Sequence, residues 1–231
     1  MPAEAPIAQR VALVAGGTGL TGGALLKLLL AGSDYARIHA VTRRPVPLDH
    51  LRLANRILPL EQMQAKLTGI RITDAFCCLG APQARAGTLA QLRPVDLDLT
   101  LAFARTALGL GATRLVFISA AGADRKSPND FLRTKGEMEA ALKELKCPAI
   151  DVIAPGVLTG IREQMSGADW LGMLRPMLNP LLTGSMAAHR ALAPADVAAA
   201  MLGAARTQRG GVHVYAGNSL RELATSASRQ R

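Results

Sequence analysis

Four glycines within seven residues separate two apolar segments near the start of the chain. The segment before them, residues 11–15, reads Val-Ala-Leu-Val-Ala, which is typical of a strand buried on both faces. The segment after them, residues 24–30, is apolar and stops at Gly32, as expected of a buried helix. A strand, a glycine turn and a helix in this order predict a phosphate-binding loop, because a helix N-terminus offers unpaired N–H groups and a partial positive charge.

Residues 16–22, Gly-Gly-Thr-Gly-Leu-Thr-Gly, are called the glycine loop below. Because glycine has no side chain, a pyrophosphate group can approach the backbone of such a loop closely. The loop and its flanking segments therefore predict a bound dinucleotide. The residues of the loop predicted to contact it are Gly16, Thr18, Gly19, Leu20, Thr21 and Gly22.

Apolar runs of strand length alternate with helical patterns along the rest of the chain. This alternation predicts an α/β fold with a doubly wound parallel sheet, a Rossmann-like domain that spans residues 1–231. Ligands of such sheets bind outside the carboxyl ends of the strands. Strands are predicted at about 10–15, 37–42, 56–60, 73–80, 114–119, 150–154 and 211–216, and helices at about 20–31, 95–110, 130–145 and 195–206.

The composition limits the classes of partner. The chain has a formal net charge of +10, but its basic residues are scattered and the densest groups are pairs such as Arg43-Arg44. Aromatic residues make up 3% of the chain, which disfavours stacking on single-stranded nucleic acid. Nucleic acid is therefore not a predicted partner. No G-x-S-x-G motif occurs, which disfavours a hydrolase.

Two further classes of site are disfavoured by the cysteines and histidines. Cys77, Cys78 and Cys147 do not form a disulfide framework, and Cys77 and Cys78 read as buried structural thiols. The four histidines are far apart and lack the spacing of metal ligands, so no metal site is predicted.

The N-terminal apolar stretch breaks at Gly16 and is too short for a signal peptide. No run approaches 18 uncharged apolar residues, so no transmembrane helix is expected. These features predict a cytoplasmic protein by default.

Residues 157–192 are less regular than the rest, with Pro176, Pro180 and Trp170 among two Met-Leu pairs. The segment is interpreted as a substrate lid or a partner-binding surface, or equally as a helical subdomain of no special purpose.

Arg43 and Arg44 follow the glycine loop by about 20 residues, at the end of the second predicted strand. An acidic residue at this place would bind the ribose hydroxyls of NAD, whereas arginine suits the extra 2′-phosphate of NADP. No Asp or Glu stands at the end of that strand. The sequence therefore predicts a preference for NADP(H) over NAD(H).

Five motifs in order carry a resemblance to a known family. They are the glycine loop, Arg43-Arg44, Phe-Cys-Cys-Leu-Gly at 76–80, Lys-Gly-Glu-Met-Glu at 135–139 and Pro-Gly-Val-Leu at 155–158. Together they resemble the small atypical group of the short-chain dehydrogenase/reductase family, over about residues 10–206. The most specific of the five is Phe-Cys-Cys-Leu-Gly.

The resemblance implies a Rossmann-like fold with bound NADP(H), in which the glycine loop holds the pyrophosphate. It places Leu79 and Gly80 beside the adenosine and ribose. It places Pro155, Gly156 and Val157 near the nicotinamide.

The resemblance also implies a set of catalytic positions. In short-chain dehydrogenases a Tyr four residues before a Lys donates the proton, the Lys binds the ribose and lowers the Tyr pKa, and a Ser near the fifth strand orients the substrate. Lys135 fits the Lys position and Ser119 is the candidate Ser, but Phe131 stands where the Tyr is expected. Tyr35 and Tyr215, the tyrosines of the chain, are not followed by Lys at the fourth position.

Two further positions differ from the family pattern, and both belong to the predicted catalytic face. Ser119 is followed by Ala120 and Ala121, and Ala154 precedes Pro155-Gly156 where related extended enzymes carry Arg. Asp124, or a water molecule held by Ser119, is the substitute proton donor that the sequence offers.

Two functions remain open. One is an NADP-dependent oxidoreductase acting on an unidentified small carbonyl or alcohol, as a monomer or homodimer. The alternative is a non-catalytic NADP(H)-binding redox sensor or regulator that acts through a protein partner.

Overall fold

A parallel sheet of seven strands runs through the part of the chain that the computed structural model describes, residues 10–80, 92–156 and 192–229. The strand order is β3-β2-β1-β4-β5-β6-β7. The strands are β1 (Arg10–Ala15), β2 (Tyr35–Thr42), β3 (Leu53–Ile57), β4 (Asp74–Cys77), β5 (Arg114–Ile118), β6 (Ala149–Ala154) and β7 (Gly211–Ala216).

Helices cover both faces of this sheet. A 3₁₀ turn (Leu60–Gln62) precedes α2, and a π-helical segment (Pro94–Leu99) precedes α3. The helices are α1 (Leu20–Ala31), α2 (Met63–Lys66), α3 (Thr100–Gly109), α4 (Asp130–Lys143), α5 (Pro194–Arg206) and α6 (Gly217–Arg229).

The alternation of side chains along β1 shows why the strands are apolar throughout. Ala12 and Val14 join the core cluster formed with α1, α5 and α6. Leu13 and Ala15 point to the opposite face and join the cluster formed with α3 and α4. Because both faces are covered, the strand has no polar side, as expected of a parallel sheet. This architecture confirms the predicted doubly wound α/β fold.

The chain winds in two directions from the centre of the sheet. From β1 it proceeds to β2 and β3 on one side, and then returns to β4 and continues outward to β7. The order therefore reverses between β1 and β4. Loops leave the sheet in opposite directions at this point, which opens a crevice at the carboxyl ends of the two strands.

Several elements differ from the sequence predictions. The strand expected at about 73–80 ends at Cys77, the helix expected at about 95–110 begins with a π-helical segment, and the short helix α2 was not predicted. The third strand was expected at about 56–60, but β3 spans Leu53–Ile57, because Pro59 has no N–H group for a strand ladder and a 3₁₀ turn follows it. Helix α6 was not predicted. Its buried residues have helical spacing that could have revealed it: Leu220, Leu223, Ala224 and Ala227.

Four charged residues lie side by side at the amino ends of the central strands, and we call them the charged row. Arg10 Nη2 lies 2.6 Å from Asp74 Oδ1, and Arg114 Nε lies 4.0 Å from the same oxygen. Arg114 also pairs with Asp151. Burial raises the pKa of Asp151, and the Arg114 guanidinium opposes that effect. The row links β1, β4, β5 and β6 at the edge opposite the crevice.

Helices α5 and α6 approach each other closely at Gly203. A Cβ atom at this position would lie 2.4 Å from the carbonyl oxygen of Leu223. We expect Gly203→Ala to lower the free energy of unfolding by roughly 1–3 kcal/mol, because a backbone carbonyl cannot move away as a side chain can. Urea unfolding of the purified variant measures this change.

Gly109→Ala is the matched control, because a Cβ atom at Gly109, which is exposed, would meet nothing within 4 Å. It should change the free energy of unfolding by about 0.5 kcal/mol or less. An equal effect of the two substitutions would contradict the close approach of α5 and α6.

Candidate dinucleotide-binding site

The glycine loop crosses directly over the end of β4. A Cβ atom at Gly16 would lie 2.4 Å from the carbonyl oxygen of Cys78, and Gly16 adopts a positive φ of 80°. Both facts require glycine here. The N–H group of Cys78 donates to the Ala15 carbonyl at 2.9 Å. The ends of β1 and β4 are thus joined at the point where the chain order reverses.

The first turn of α1 packs against the same loop. A Cβ atom at Gly22 would lie 2.2 Å from the carbonyl oxygen of Gly16. The Gly19 N–H group donates to that oxygen at 3.0 Å. The loop is therefore a tight turn with a fixed direction for the helix that follows.

The N-terminus of α1 faces the crevice without a protein cap. Its N-cap residue is Gly19, no side chain caps it, and its first turn contains no acidic residue. Thr18, Gly19 and Leu20 are exposed, whereas Thr21 is buried. Helix geometry leaves the first N–H groups without partners inside the helix. This end of the helix can therefore accept an anion.

Arg43 and Arg44 lie in the loop that follows β2, and both are exposed. The Thr42 methyl carbon lies 3.5 Å from where a Cβ of Gly17 would stand, so the end of β2 touches the glycine loop. The structure thus brings this arginine pair and the glycine loop to the same edge of the sheet.

Leu79 and Gly80 extend β4 beyond the sheet, and Gly80 is exposed. The two cysteines before them are packing residues. Burial raises the pKa of the Cys77 thiol to about 11 and also raises that of Cys78. Thiols that stay protonated near neutral pH are poor nucleophiles.

Lys135 is buried in α4 and forms an ion pair that the sequence analysis missed. Its Nζ lies 2.5 Å from Asp96 Oδ1, and Asp96 is fully buried in the π-helical segment. The same ammonium group donates to the Ile118 carbonyl at 3.4 Å. Lys135 is therefore held at the carboxyl end of β5.

Ser119 is also buried, and its hydroxyl donates to Glu139 Oε1 at 2.5 Å. Glu139 lies one helical turn after Lys135 in α4. This hydrogen bond uses the single proton of the Ser119 hydroxyl and ties α4 to β5. Sequence spacing marks Glu139 as a neighbour of Lys135 on one helix face, but not as the partner of Ser119.

Phe131 occupies the position one turn before Lys135, with its ring centre 5.8 Å from Lys135 Nζ. Asp124, the substitute proton donor considered from the sequence, is exposed, and its carboxylate accepts a hydrogen bond from the Lys126 N–H group at 2.9 Å. The Asp124 carboxylate thus forms a hydrogen bond within its own loop.

Pro155 and Gly156 follow β6, and the Pro155 carbonyl accepts a hydrogen bond from the Ala121 N–H group at 2.8 Å. The ends of β5 and β6 are thereby held together. Val157 and the segment proposed as a lid lie outside the described residues, apart from residue 192.

The described residues contain neither a cluster of metal ligands nor a membrane-spanning helix. No group of three or more His, Cys, Asp or Glu side chains among them is placed to hold a metal ion. Within the same ranges, no helix combines the length and the apolar character needed to cross a membrane.

Comparison with curated proteins identifies relatives of this chain. The mitochondrial protein FMP52 of Lodderomyces elongisporus is 30% identical over 170 residues, which cover 68% of this chain and 71% of that protein. Protein HTATIP2 of Rattus norvegicus is 31% identical over 162 residues, which cover 68% and 66%. The chain belongs to the atypical short-chain dehydrogenase/reductase family of FMP52 and HTATIP2. No protein-family model matches it.

Solved structures of low sequence identity share the fold. WbmF of Bordetella bronchiseptica in complex with NADH has a TM-score of 0.64 at 19% identity, over 96% of this chain and 76% of that one. A short chain dehydrogenase family protein of Francisella tularensis has a TM-score of 0.62 at 14% identity, over 92% and 99%. These comparisons show that the chain shares the Rossmann-like α/β fold of those proteins.

The comparisons correct one prediction. The sequence was interpreted as that of a cytoplasmic protein, by default from the lack of a signal peptide and of a transmembrane run. Several relatives are named as mitochondrial, among them FMP52 of Lodderomyces elongisporus and of Saccharomyces cerevisiae. The cytoplasmic prediction is therefore wrong, because a missing signal peptide separates secreted from retained proteins and does not identify a compartment.

Neighbouring glycines at the start of α1 provide a test of the site. A Cβ atom at Gly22 would clash with the Gly16 carbonyl, whereas one at Gly23 would lie 3.5 Å from the Gly17 carbonyl, an ordinary contact. We expect Gly22→Ala to weaken NADPH binding about 10- to 100-fold, equivalent to one or two charge-assisted hydrogen bonds. Gly23→Ala should bind as the unmodified protein does. Titration calorimetry measures both, and equal losses would contradict this account of the loop.

Proposed function

We propose that this protein binds NADP(H) and is an oxidoreductase for a small carbonyl or alcohol substrate. The observation that carries the proposal is the conjunction of the uncapped helix N-terminus at Gly19 with Arg43 and Arg44 on the same edge of the sheet. The helix end suits a pyrophosphate group. The planar, permanently charged guanidinium groups suit a ribose 2′-phosphate.

The residues present fit such a cofactor. Gly16 and Gly22 allow the loop to turn tightly, and the start of α1 that follows has no side-chain cap, so its N–H groups can meet a phosphate. In this proposal Leu79 and Gly80 flank the adenosine and ribose, and Lys135 donates to the nicotinamide ribose. Pro155 and Gly156 line the nicotinamide end. When bound, the cofactor supplies or accepts the hydride.

Substitution of both Arg43 and Arg44 by Ala tests the cofactor preference. We expect the double variant to lose about 10- to 100-fold in NADPH affinity, because charge-assisted hydrogen bonds to the 2′-phosphate disappear. NADH affinity should stay the same, because NADH lacks this phosphate. Fluorescence titration with each nucleotide gives the two dissociation constants.

Arg71→Ala is the matched control, since Arg71 is exposed but lies before β4, at the amino edge of the sheet. It should leave both affinities unchanged. If the unmodified protein bound NADH as tightly as NADPH, the proposed role of the arginine pair would be refuted.

A second candidate function is an NADP(H)-binding regulator that acts through a protein partner. It is favoured by the residues at the catalytic positions, which lack a hydroxyl group or already have partners within the protein. Phe131 has no hydroxyl group, and the Ser119 proton is donated to Glu139. The Lys135 ammonium is paired with Asp96. A protein that only binds the cofactor needs none of these groups to transfer a proton.

Phe131→Tyr distinguishes the two candidates. If the chain is an oxidoreductase, a phenol beside Lys135 should raise kcat on a panel of small carbonyl compounds by about 10²- to 10⁴-fold, the usual contribution of a positioned proton donor. Phe131→Leu is the control, since it changes the ring without adding a hydroxyl. NADPH oxidation measured at 340 nm reports the rate. A Tyr variant without activity that still binds NADPH would favour the regulator.

A further inference from the structure

A cavity of about 920 Å³ opens between the end of α1 and the side of α5, and we call it the α1–α5 cavity. Its other walls are the start of β2 and the side chain of Arg52. Helix α1 has 12 residues and is therefore about 18 Å long, with the glycine loop at its opposite end. The cavity is thus separate from the candidate dinucleotide site, and its volume is within the range of about 300–1,000 Å³ that is usual for small-molecule sites.

One wall of the cavity is apolar. It consists of Leu28 and Ala31 from the last turns of α1 and of Leu202 from α5. Leu202 is buried in the core cluster of this face, and Leu28 packs against the same cluster. Ala31 is exposed, so the apolar wall extends from the core to the solvent. Such a wall suits the apolar chain of a ligand, because removing methylene groups from water is favourable.

A second wall contains an ion pair that is complete within the protein. Arg206 Nε and Nη2 donate to Asp34 Oδ1 and Oδ2 at 3.2 and 2.7 Å. The hydrogen bonds from Arg206 lower the pKa of Asp34, so this carboxylate stays ionised near neutral pH. The pair joins the start of β2 to the end of α5 and adds no net charge to the cavity.

Arg52 gives the cavity its excess positive charge. Its Nη1 donates to the carbonyls of Gly32 and Tyr35 at 2.8 and 2.9 Å, and its Nη2 donates to the Leu30 carbonyl. A guanidinium group has five N–H donors, so two remain without a partner among the described residues. Within the same ranges, no carboxylate forms an ion pair with Arg52.

We propose that the α1–α5 cavity is a second ligand site, which binds a small carboxylate that carries an apolar chain. The carboxylate accepts hydrogen bonds from Arg52, because guanidinium and carboxylate groups match in charge and shape. The chain lies against Leu28 and Leu202. An amine is a poor ligand here, because the Asp34 carboxylate is already paired with Arg206. The inference is independent of the proposed dinucleotide function.

Titration calorimetry of the full chain with hexanoate tests the chemistry of this site. We expect hexanoate to bind at one site, at least about 10-fold more tightly than acetate, because the apolar wall removes the longer chain from water. Hexylamine has a chain of the same length but the opposite charge, and it should show no saturable binding. Failure of hexanoate to bind, or equal binding of hexanoate with either control ligand, would overturn the proposal.

A large side chain at Ala31 tests the position of the site. We expect Ala31→Trp to weaken hexanoate binding by about 10-fold or more, because the indole ring would occupy space beside the apolar wall. Ala65→Trp is the matched control, since Ala65 is an exposed alanine of α2 that does not line the cavity. It should bind hexanoate as the unmodified protein does. Equal affinities of the two variants would contradict this location.

Arg52→Gln tests the role of the guanidinium group. It should weaken hexanoate binding by about 10-fold, as expected for the loss of a hydrogen bond between charged groups. Full affinity in this variant would overturn the proposal, as would displacement of hexanoate by NADPH, which would place the carboxylate in the crevice instead. Because Arg52 also binds the carbonyls at the end of α1, the variant is checked for folding by circular dichroism. Should it not fold, Ala31→Trp, which keeps Arg52, decides the question.

Discussion

Close backbone contacts between the glycine loop, the end of β4 and the start of α1 determine the geometry of the sheet edge where the cofactor is proposed to bind. Gly16 lies against the Cys78 carbonyl, and Gly22 lies against the Gly16 carbonyl. A side chain at either glycine would separate β1 from β4 or lift α1 away from the loop. Because these contacts fix where α1 begins, they also fix the direction of its positive end. The crevice between β1 and β4 therefore presents N–H donors rather than side chains.

The sequence predicted the parts of this arrangement that depend on local pattern. The glycine loop, the apolar strands and the helices at 20–31 and 130–145 are each specified within about 15 residues, and α1 and α4 agree with the prediction to within two residues. Strand β3 was misplaced because its residues are half-exposed and weakly apolar, so register with β2 decides its position. Helix α6 was missed although its apolar residues are helically spaced, because it follows β7 without a break.

In the candidate site too, features within one element could be predicted, whereas contacts between elements could not. The family resemblance indicated Lys135 as a candidate, because the motif at 135–139 lies on a single helix. Its partner Asp96 lies 39 residues earlier in the sequence, and no local pattern predicts the π-helical segment that carries it. The pairing of Ser119 with Glu139 likewise depends on how α4 packs against β5. Contacts between elements are set by tertiary packing, which a single sequence does not display.

The placement of charge then explains why one edge of the sheet suits an anion. Within the charged row at the amino edge, each guanidinium faces a carboxylate, so the row itself is close to neutral. At the carboxyl edge, Arg43 and Arg44 are exposed and form no ion pair with any residue the structure describes, and the positive end of α1 lies on the same side. A formal net charge of +10 spread over the surface would attract anions without direction. The exposed arginine pair and the positive end of α1 give that attraction a direction toward the crevice, where the proposed pyrophosphate and 2′-phosphate would lie.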